Sequence, residues 1–397
     1  MKKRIEIGIG TVNISRKAKR DVMRVLETSR LSYGDFSRNF ETKMAEIHER
    51  KYAIFVNSGT SALHIALQVL KDKYNWSDSD EVLIPAITFV ATSNVVLHNR
   101  LKPVFVDVEE DFYCMDPKEI ERKITKKTRA IIPVHLFGQS SEMVKILEIA
   151  KKYHLKIIED SCEAMFVKYM KHPVGSLGDI SCYSTYATHL ITTGVGGLVM
   201  TNDDDLAIRL KSYANHGRDG IYLSIDDDDE KNREKLFKIV EKRFSFIHLG
   251  HSLRLTEMEA ALGLAQLKKW KDIIKKRQSN AQYLTEKLSR WTNHIKLPRI
   301  RSGGSHGFML YPILISDRKI NRKDLTEYLE INGIETRYLM PLLNQPIYIQ
   351  LFGNLEDQYP VARNINKNGF LIGCHQGLKK SDLEFIVKIF ASYFSRI

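Results

Sequence analysis

The sequence predicts an α/β protein: a large domain built on a mainly parallel sheet (residues 1–255), then a linking helix and a smaller C-terminal α+β domain (residues 256–397). Three observations predict it. Short apolar runs rich in β-branched residues recur at 52–56, 81–84, 103–108, 129–135, 155–158 and 180–183, and most are separated by segments of helical period. That is the pattern of strands buried on both faces. Several runs end in small or acidic residues, notably Asn57-Ser58-Gly59-Thr60, Glu159-Asp160 and Ser184. Open parallel sheets bind ligands beyond the carboxyl ends of their strands. After residue 267 the composition shifts to a long charged helix, 268–290, which marks the passage to the second domain.

Taken in order, Ser15 is the expected N-cap of a helix over 13–30, with Val22 and Leu26 on its apolar face. A second helix, 38–50, leads into the strand 52–56. Ala62, Ile65, Ala66 and Val69 then recur at i, i+3, i+4, i+7. A strand, a Gly/Ser/Thr turn and a helix N-terminus together offer free N–H groups and a favourable dipole to phosphate. The strand 81–84 runs into Phe89, which on local pattern alone belongs to the core. Helices over 117–125 and 141–153 alternate with the next strands. Asp203-Asp204-Asp205 is placed to open a helix, and the acidic run Asp226 to Glu230 reads as a solvated loop. Thr256 and Glu259 form a capping box before a stripe of Met258, Ala261, Leu262 and Ala265.

Composition narrows the function classes. Lys and Arg number 61 against 48 Asp and Glu, a net charge of +13 that suits an anionic small molecule. The basic residues are spread along the chain, so no nucleic-acid partner is expected. No apolar run reaches the roughly 20 residues of a membrane span, and the N-terminus lacks a signal-peptide core, so a cytoplasmic protein without membrane partners is expected. The four cysteines, Cys114, Cys162, Cys182 and Cys374, are too scattered for a disulfide framework or a structural metal site, and no metal is expected.

The stretch 155–201, with Glu159-Asp160, Ser184, His189 and Gly194-Val195-Gly196-Gly197, resembles the sugar aminotransferases of the DegT/DnrJ/EryC1/StrS type. The turn 57–63, the segment 250–254 and the C-terminal stretches 333–337 and 368–378 extend the resemblance along nearly the whole chain. It implies an aspartate-aminotransferase-like fold (fold type I) that holds pyridoxal or pyridoxamine 5'-phosphate. Residue by residue, it assigns Gly59, Thr60 and Ser184 to the cofactor phosphate, and Phe89 to one face of the ring. Asp160 falls to the pyridine nitrogen and Glu163 to the neighbourhood of the ring hydroxyl. Ser252 stands where relatives use an Asn to reach the phosphate of a second subunit, which implies a homodimer. Tyr33, Arg254, Arg337 and His375 are the residues expected near substrate.

The family's tethering lysine precedes the glycine turn by five residues, and His189 occupies that position. No lysine lies between Lys171 and Lys211. Imidazole near its ordinary pKa of about 6.5 can shuttle protons but forms no stable imine. Such a replacement resembles the branch of nucleotide-sugar 3-dehydratases, implying a nucleotide-diphosphate sugar bearing a 4-ketone as substrate. Those dehydratases draw either on a cysteine-ligated iron–sulfur cluster or on L-glutamate. After Cys182 only Cys374 remains, so the glutamate-dependent version without a cluster is expected. The alternatives are a sugar aminotransferase, active or inactivated, and a non-catalytic protein of the same fold.

Overall fold

The structure, a computed structural model, describes residues 7–220 and 232–396. The acidic run Asp226 to Glu230 lies outside these residues. Among them, the large sheet has the strand order β1 (Tyr52–Val56), β9 (Gly197–Thr201), β8 (Ile180–Ser184), β5 (Lys156–Asp160), β4 (Thr128–Ile131), β2 (Glu81–Pro85), β3 (Lys102–Val106). β6 (Lys168–Tyr169) and β7 (His172–Pro173) form a small hairpin. The pairs β2–β3, β2–β4, β4–β5 and β5–β8 are parallel. β9 lies antiparallel between β8 and β1, so β1 also runs with the parallel set. The carboxyl ends of β1, β2, β5 and β8 therefore share one rim of the sheet. Sequence pattern located the parallel strands but not β9, whose five residues directly follow a glycine turn.

Helices cover the sheet. Gly59–Lys73 buries Ala62, Ile65, Ala66 and Val69 as the periodicity predicts, and Ser58 caps it by accepting from the Ser61 N–H. The first helix, Arg16–Thr28, is capped by Ser15 as expected, but it buries Ala18 and Val25 and leaves Leu26 exposed. The second helix spans Asp35–Ile47 rather than 38–50. Glu257 fixes its start, accepting from the N–H groups of Gly34, Phe36 and Ser37. The helix Glu257–Leu267 carries the expected Thr256–Glu259 capping box, but its buried stripe is Ala260, Ala261, Gly263, Ala265 and Leu267. The acids at 203–205 act as read: Asp203 caps the helix Asp204–Ala214.

The C-terminal part holds an antiparallel sheet in the order β10 (Ile295–Lys296), β11 (Tyr311–Ile315), β13 (Gly369–Ile372), β12 (Thr336–Tyr338). Its apolar core is separate from the large one and draws on the helices Trp270–Leu288, Arg322–Ile331 and Lys380–Phe394. The N-terminal segment joins this core: Ile7 is buried in it and exchanges backbone hydrogen bonds with Gly333 and Glu335.

His48 is wholly buried against Phe166 and Tyr183, and burial pushes its imidazole down to about 3. The unfolded ring, near 6.5, takes up a proton that the folded ring refuses. Its contribution to stability is therefore complete above pH 6.5 and is lost as pH falls from there toward 3, by about 1.4 kcal/mol per unit. Between pH 7 and pH 5, urea unfolding should show the wild-type chain losing about 2 kcal/mol more than His48→Phe.

Candidate active site

The rim formed by the ends of β1, β2, β5 and β8 gathers most of the residues assigned from sequence. β9 does the joining. Gly197 pairs with Val56 on one side and Ser184 on the other, and a Cβ on Gly197 would collide with the Ser58 carbonyl. The turn Ser58-Gly59-Thr60 is thus pressed against Ser184. A Cβ on Gly59 would lie 2.9 Å from both Ser184 Cβ and Cys162 Sγ, so the chain approaches this closely only with glycine. The first N–H groups of the helix Gly59–Lys73 have no intrahelical acceptor, and Ser58 Oγ takes up that of Ser61.

Asp160 ends β5 and is buried. Its Oδ2 accepts from Thr92 Oγ1 at 2.8 Å, and its Oδ1 from the Cys162 N–H at 3.2 Å. Burial pushes its carboxyl upward, and hydrogen bonds from Cys162 and Thr92 pull part of the way back. A buried carboxylate in need of positive charge suits a protonated ring nitrogen. Phe89 sits at the end of the turn after β2, N-terminal to the helix Val90–His98, and is 58% exposed. It is no core residue: its ring stands free at the rim. Glu163 is buried and accepts from the Phe137 N–H at 2.7 Å; burial raises its carboxyl to about 7, so that it can also donate a hydrogen bond near neutral pH.

His189 belongs to a closed loop between β8 and β9. Thr185 and Thr193 hold the loop through backbone hydrogen bonds and through their hydroxyls, 2.6 Å apart. The imidazole Nδ1 donates to the Cys162 carbonyl at 2.8 Å. That bond fixes the tautomer and leaves Nε2 as the basic nitrogen. The ring is half-buried, and desolvation pushes it down to about 4, with the positive charge of Arg277 contributing. The expectation that His189 titrates near 6.5 is corrected: at neutral pH it is a neutral base.

The substrate-side assignments scatter. Tyr33 faces the outer edge of β1, where its hydroxyl donates to Glu41 at 2.6 Å. Arg337 lies exposed on β12, paired with Glu335. The chain just after it returns to the Phe89 turn through the bridge between Pro341 and Ile87. His375 is buried, not facing open space; its carbonyl accepts from Asn280, and the neighbouring Gly377 lies against Thr11. Ser252 and Arg254 are exposed; Ser252 pairs with Asn215, and the backbone of Arg254 runs beside Val56. Sequence reasoning missed Thr92 and the Cys162 carbonyl. Thr92 had a signal: Thr88 and Thr92 stand four residues apart, both are buried, and their hydroxyls meet at 2.8 Å. A backbone carbonyl leaves none.

A helix N-terminus, a glycine cradle, a buried carboxylate and an exposed aromatic at one rim fit pyridoxal phosphate or its amine form. This is the constellation of a PLP-dependent enzyme of the aspartate-aminotransferase fold. Residues 12–391 match the DegT/DnrJ/EryC1/StrS aminotransferase family, and the chain belongs to it. The chain is 32% identical to the GDP-perosamine synthase of Caulobacter vibrioides over 92% of both proteins. It is 30% identical to the dTDP-4-dehydro-2,6-dideoxy-D-glucose 3-dehydratase of Saccharopolyspora spinosa, covering 92% of this chain and 82% of that one. Among solved structures, the aminotransferase from Psychrobacter cryohalolentis superposes with a TM-score of 0.88 at 27% identity, over 97% and 98% of the two chains.

Asp160→Ala should weaken cofactor binding at least tenfold, and Phe89→Ala less, because a lost charge partner at a buried position outweighs a lost exposed stacking face. Absorbance titration of the purified variants with pyridoxal phosphate measures both. Equal effects would misplace the ring.

Proposed function

We propose that this chain is a PLP/PMP-dependent 3-dehydratase of a nucleotide-linked 4-keto-6-deoxyhexose, with L-glutamate as amino donor and no iron–sulfur cluster. The observation that carries the reading is His189, held by the Cys162 carbonyl with Nε2 free, at the position where the family keeps its tethering lysine. A histidine there leaves the cofactor noncovalently held. The relative from Saccharopolyspora spinosa, named a 3-dehydratase, supports the same direction.

When bound, the cofactor supplies a protonated pyridine ring that draws negative charge from the reacting carbon. The chain's own residues do the rest. The Gly59-Thr60 turn and Ser184 bind the phosphate. Asp160 keeps the ring nitrogen protonated, and Phe89 covers one face and so fixes the plane of the ring. Glu163, carrying a proton near neutral pH, donates toward the ring hydroxyl. His189 accepts a proton at Nε2 and, once charged, returns it to the departing C3 oxygen. The electrons balance: oxidation of glutamate to 2-oxoglutarate and ammonia releases the two that convert C3 from CHOH to CH2.

The partner subunit follows from a surface. Phe244 is 83% and Leu249 88% exposed, while the backbone around them is pinned by bonds from Asp219 to Ser245 and from Ile247 to Gly217. Ordered, outward-facing apolar residues call for a covering surface. They lead directly into Ser252 and Arg254, both of which are exposed. A second copy of the chain that buries Phe244 and Leu249 would receive Ser252 at its phosphate turn.

The 32% identity to a GDP-perosamine synthase favours a second reading, an aminotransferase that leaves an amino group at C4. Products separate the two. With glutamate and a nucleotide-linked 4-keto-6-deoxyhexose in deuterated water, the dehydratase yields ammonia and a 3-deoxy ketone carrying deuterium at C3. A 4-amino sugar that keeps its C3 oxygen, without ammonia, overturns the proposal. Borohydride reduction should leave no cofactor mass on the chain, and His189→Asn should bind cofactor yet stop turnover.

Light scattering should give a dimer for the wild-type chain and a lower mass at equal concentration for the double variant Phe244→Ser, Leu249→Ser. A fully active wild-type monomer would refute the shared site.

A further inference from the structure

The first helix, Arg16–Thr28, is turned against the sizes of its apolar side chains. It packs on the protein through Ala18 and Val25, while Met23, 54% exposed, and Leu26, 47% exposed, stand in solvent. Val12, just ahead of the helix, is exposed as well. Cations surround these apolar residues. Arg16, Arg20 and Arg24 recur every four residues and so form one line along the outer face, and Lys19 and Met23 belong to the neighbouring line. Lys17 is paired with Asp21, whereas Arg16, Lys19, Arg20 and Arg24 are exposed and have no ion pair among the described residues. Glu27 is the helix's one acid besides Asp21.

This charge does nothing for the helix itself. A helix N-terminus favours anions, yet the first turn carries Arg16 and Lys17 and no acid. Like charges four residues apart repel each other along the arginine line. The positive face also extends beyond the helix: Arg24 lines a groove of about 720 Å³ together with Lys43 of the second helix and with Lys268. Of the four acids in that groove, Asp21 pairs with Lys17, Asp35 with Arg38, and Glu257 holds backbone N–H groups, which leaves Glu46. Unpaired cations and outward-facing apolar side chains on one helix are the composition of a segment that lies in a membrane interface.

We infer that this face docks on the anionic surface of a lipid bilayer, with the cations on headgroup phosphates and with Met23 and Leu26 at the boundary between headgroups and acyl chains. The guanidinium fork of the three arginines matches phosphate geometry. The expectation of no membrane partner came from the lack of a span. Among the described residues no helix is long and apolar enough to cross a membrane, and a peripheral contact needs none. A second copy of the chain is the wrong occupant, because it would bring the same cations to the contact. Nucleic acid fits less well: Arg16–Thr28 offers no aromatic side chain for bases to stack on, and Met23 and Leu26 would find no apolar counterpart. The face lies outside the residues assigned to the cofactor, so the inference stands apart from the proposed reaction.

The test is sedimentation of the full chain with vesicles, either of phosphatidylcholine alone or of phosphatidylcholine mixed with phosphatidylglycerol. The chain pellets with the mixed vesicles and not with the neutral ones, and added salt weakens the binding. Arg16→Gln together with Arg20→Gln weakens it by roughly fivefold for each cation removed. Met23→Ser together with Leu26→Ser leaves every charge in place and weakens it roughly tenfold. All four positions are exposed, so the variants keep the fold, and unchanged thermal unfolding midpoints verify this. Equal pelleting with neutral vesicles overturns the inference. So does binding to the mixed vesicles that either double variant retains in full. Tighter binding to a short nucleic-acid duplex than to the mixed vesicles overturns it too, and gives the cations to nucleic acid instead.

Discussion

The site depends on Glu159, whose carboxylate is held by His135, Arg50 and the N–H groups of Gly175, Leu177 and Gly178. It is wholly buried at the end of β5, and burial works against its charge. His135, at 3.1 Å, Arg50 and the Gly178 N–H nevertheless hold its carboxyl below the ordinary value. Further N–H groups, from Gly175 and Leu177, complete its shell. Arg50 in turn donates to the carbonyls of Gly175 and Gly178. One carboxylate therefore ties the entry to β1, the loop after β4 and the connection from β7 to β8 to the strand that ends in Asp160. Successive residues of a strand face opposite sides. Because Glu159 is anchored on one side, Asp160 has a single direction left.

Charge is distributed with the same economy on the other side of the rim. The turn Asp160–Glu163 brings two carboxyls, and its Cys162 carbonyl holds His189 by Nδ1. Burial, and less strongly the charge of Arg277, hold that imidazole below its ordinary value against the hydrogen bond to Cys162. The loop from Thr185 to Thr193 is stiffened by its own backbone and hydroxyl bonds, so Nε2 is presented by a frame rather than by a mobile side chain.

Much of this was legible in the sequence. Apolar runs marked the parallel strands, the Ser-Gly-Thr turn marked a helix N-terminus, and the displacement of lysine by His189 carries the proposed chemistry. What stayed hidden has physical reasons. β9 is five residues long and begins with a glycine, so no periodicity could reveal it. The apolar face of the first helix was misjudged because Leu26 is more hydrophobic than Ala18, yet tertiary packing buries the smaller residue. Phe89 could not be told from a core residue by type, and only its exposure separates the two readings. The anchoring of Glu159 and the burial of Arg277 rest on partners far away in sequence, and pattern does not carry those.

The placement of β9 also sets an order of assembly. β1 bonds to no strand but β9 among the described residues, and Val56 meets Gly197 roughly 140 residues further along the chain. Loop closure over that length is entropically slow, and it cannot begin until the ribosome has released residues beyond 201. The contact between the Ser58-Gly59-Thr60 turn and Gly197 is consequently one of the last features of the large domain to appear during synthesis. An emerging chain shorter than this can hold a formed parallel sheet while the Ser58-Gly59-Thr60 turn still lacks the strand that presses it against Ser184.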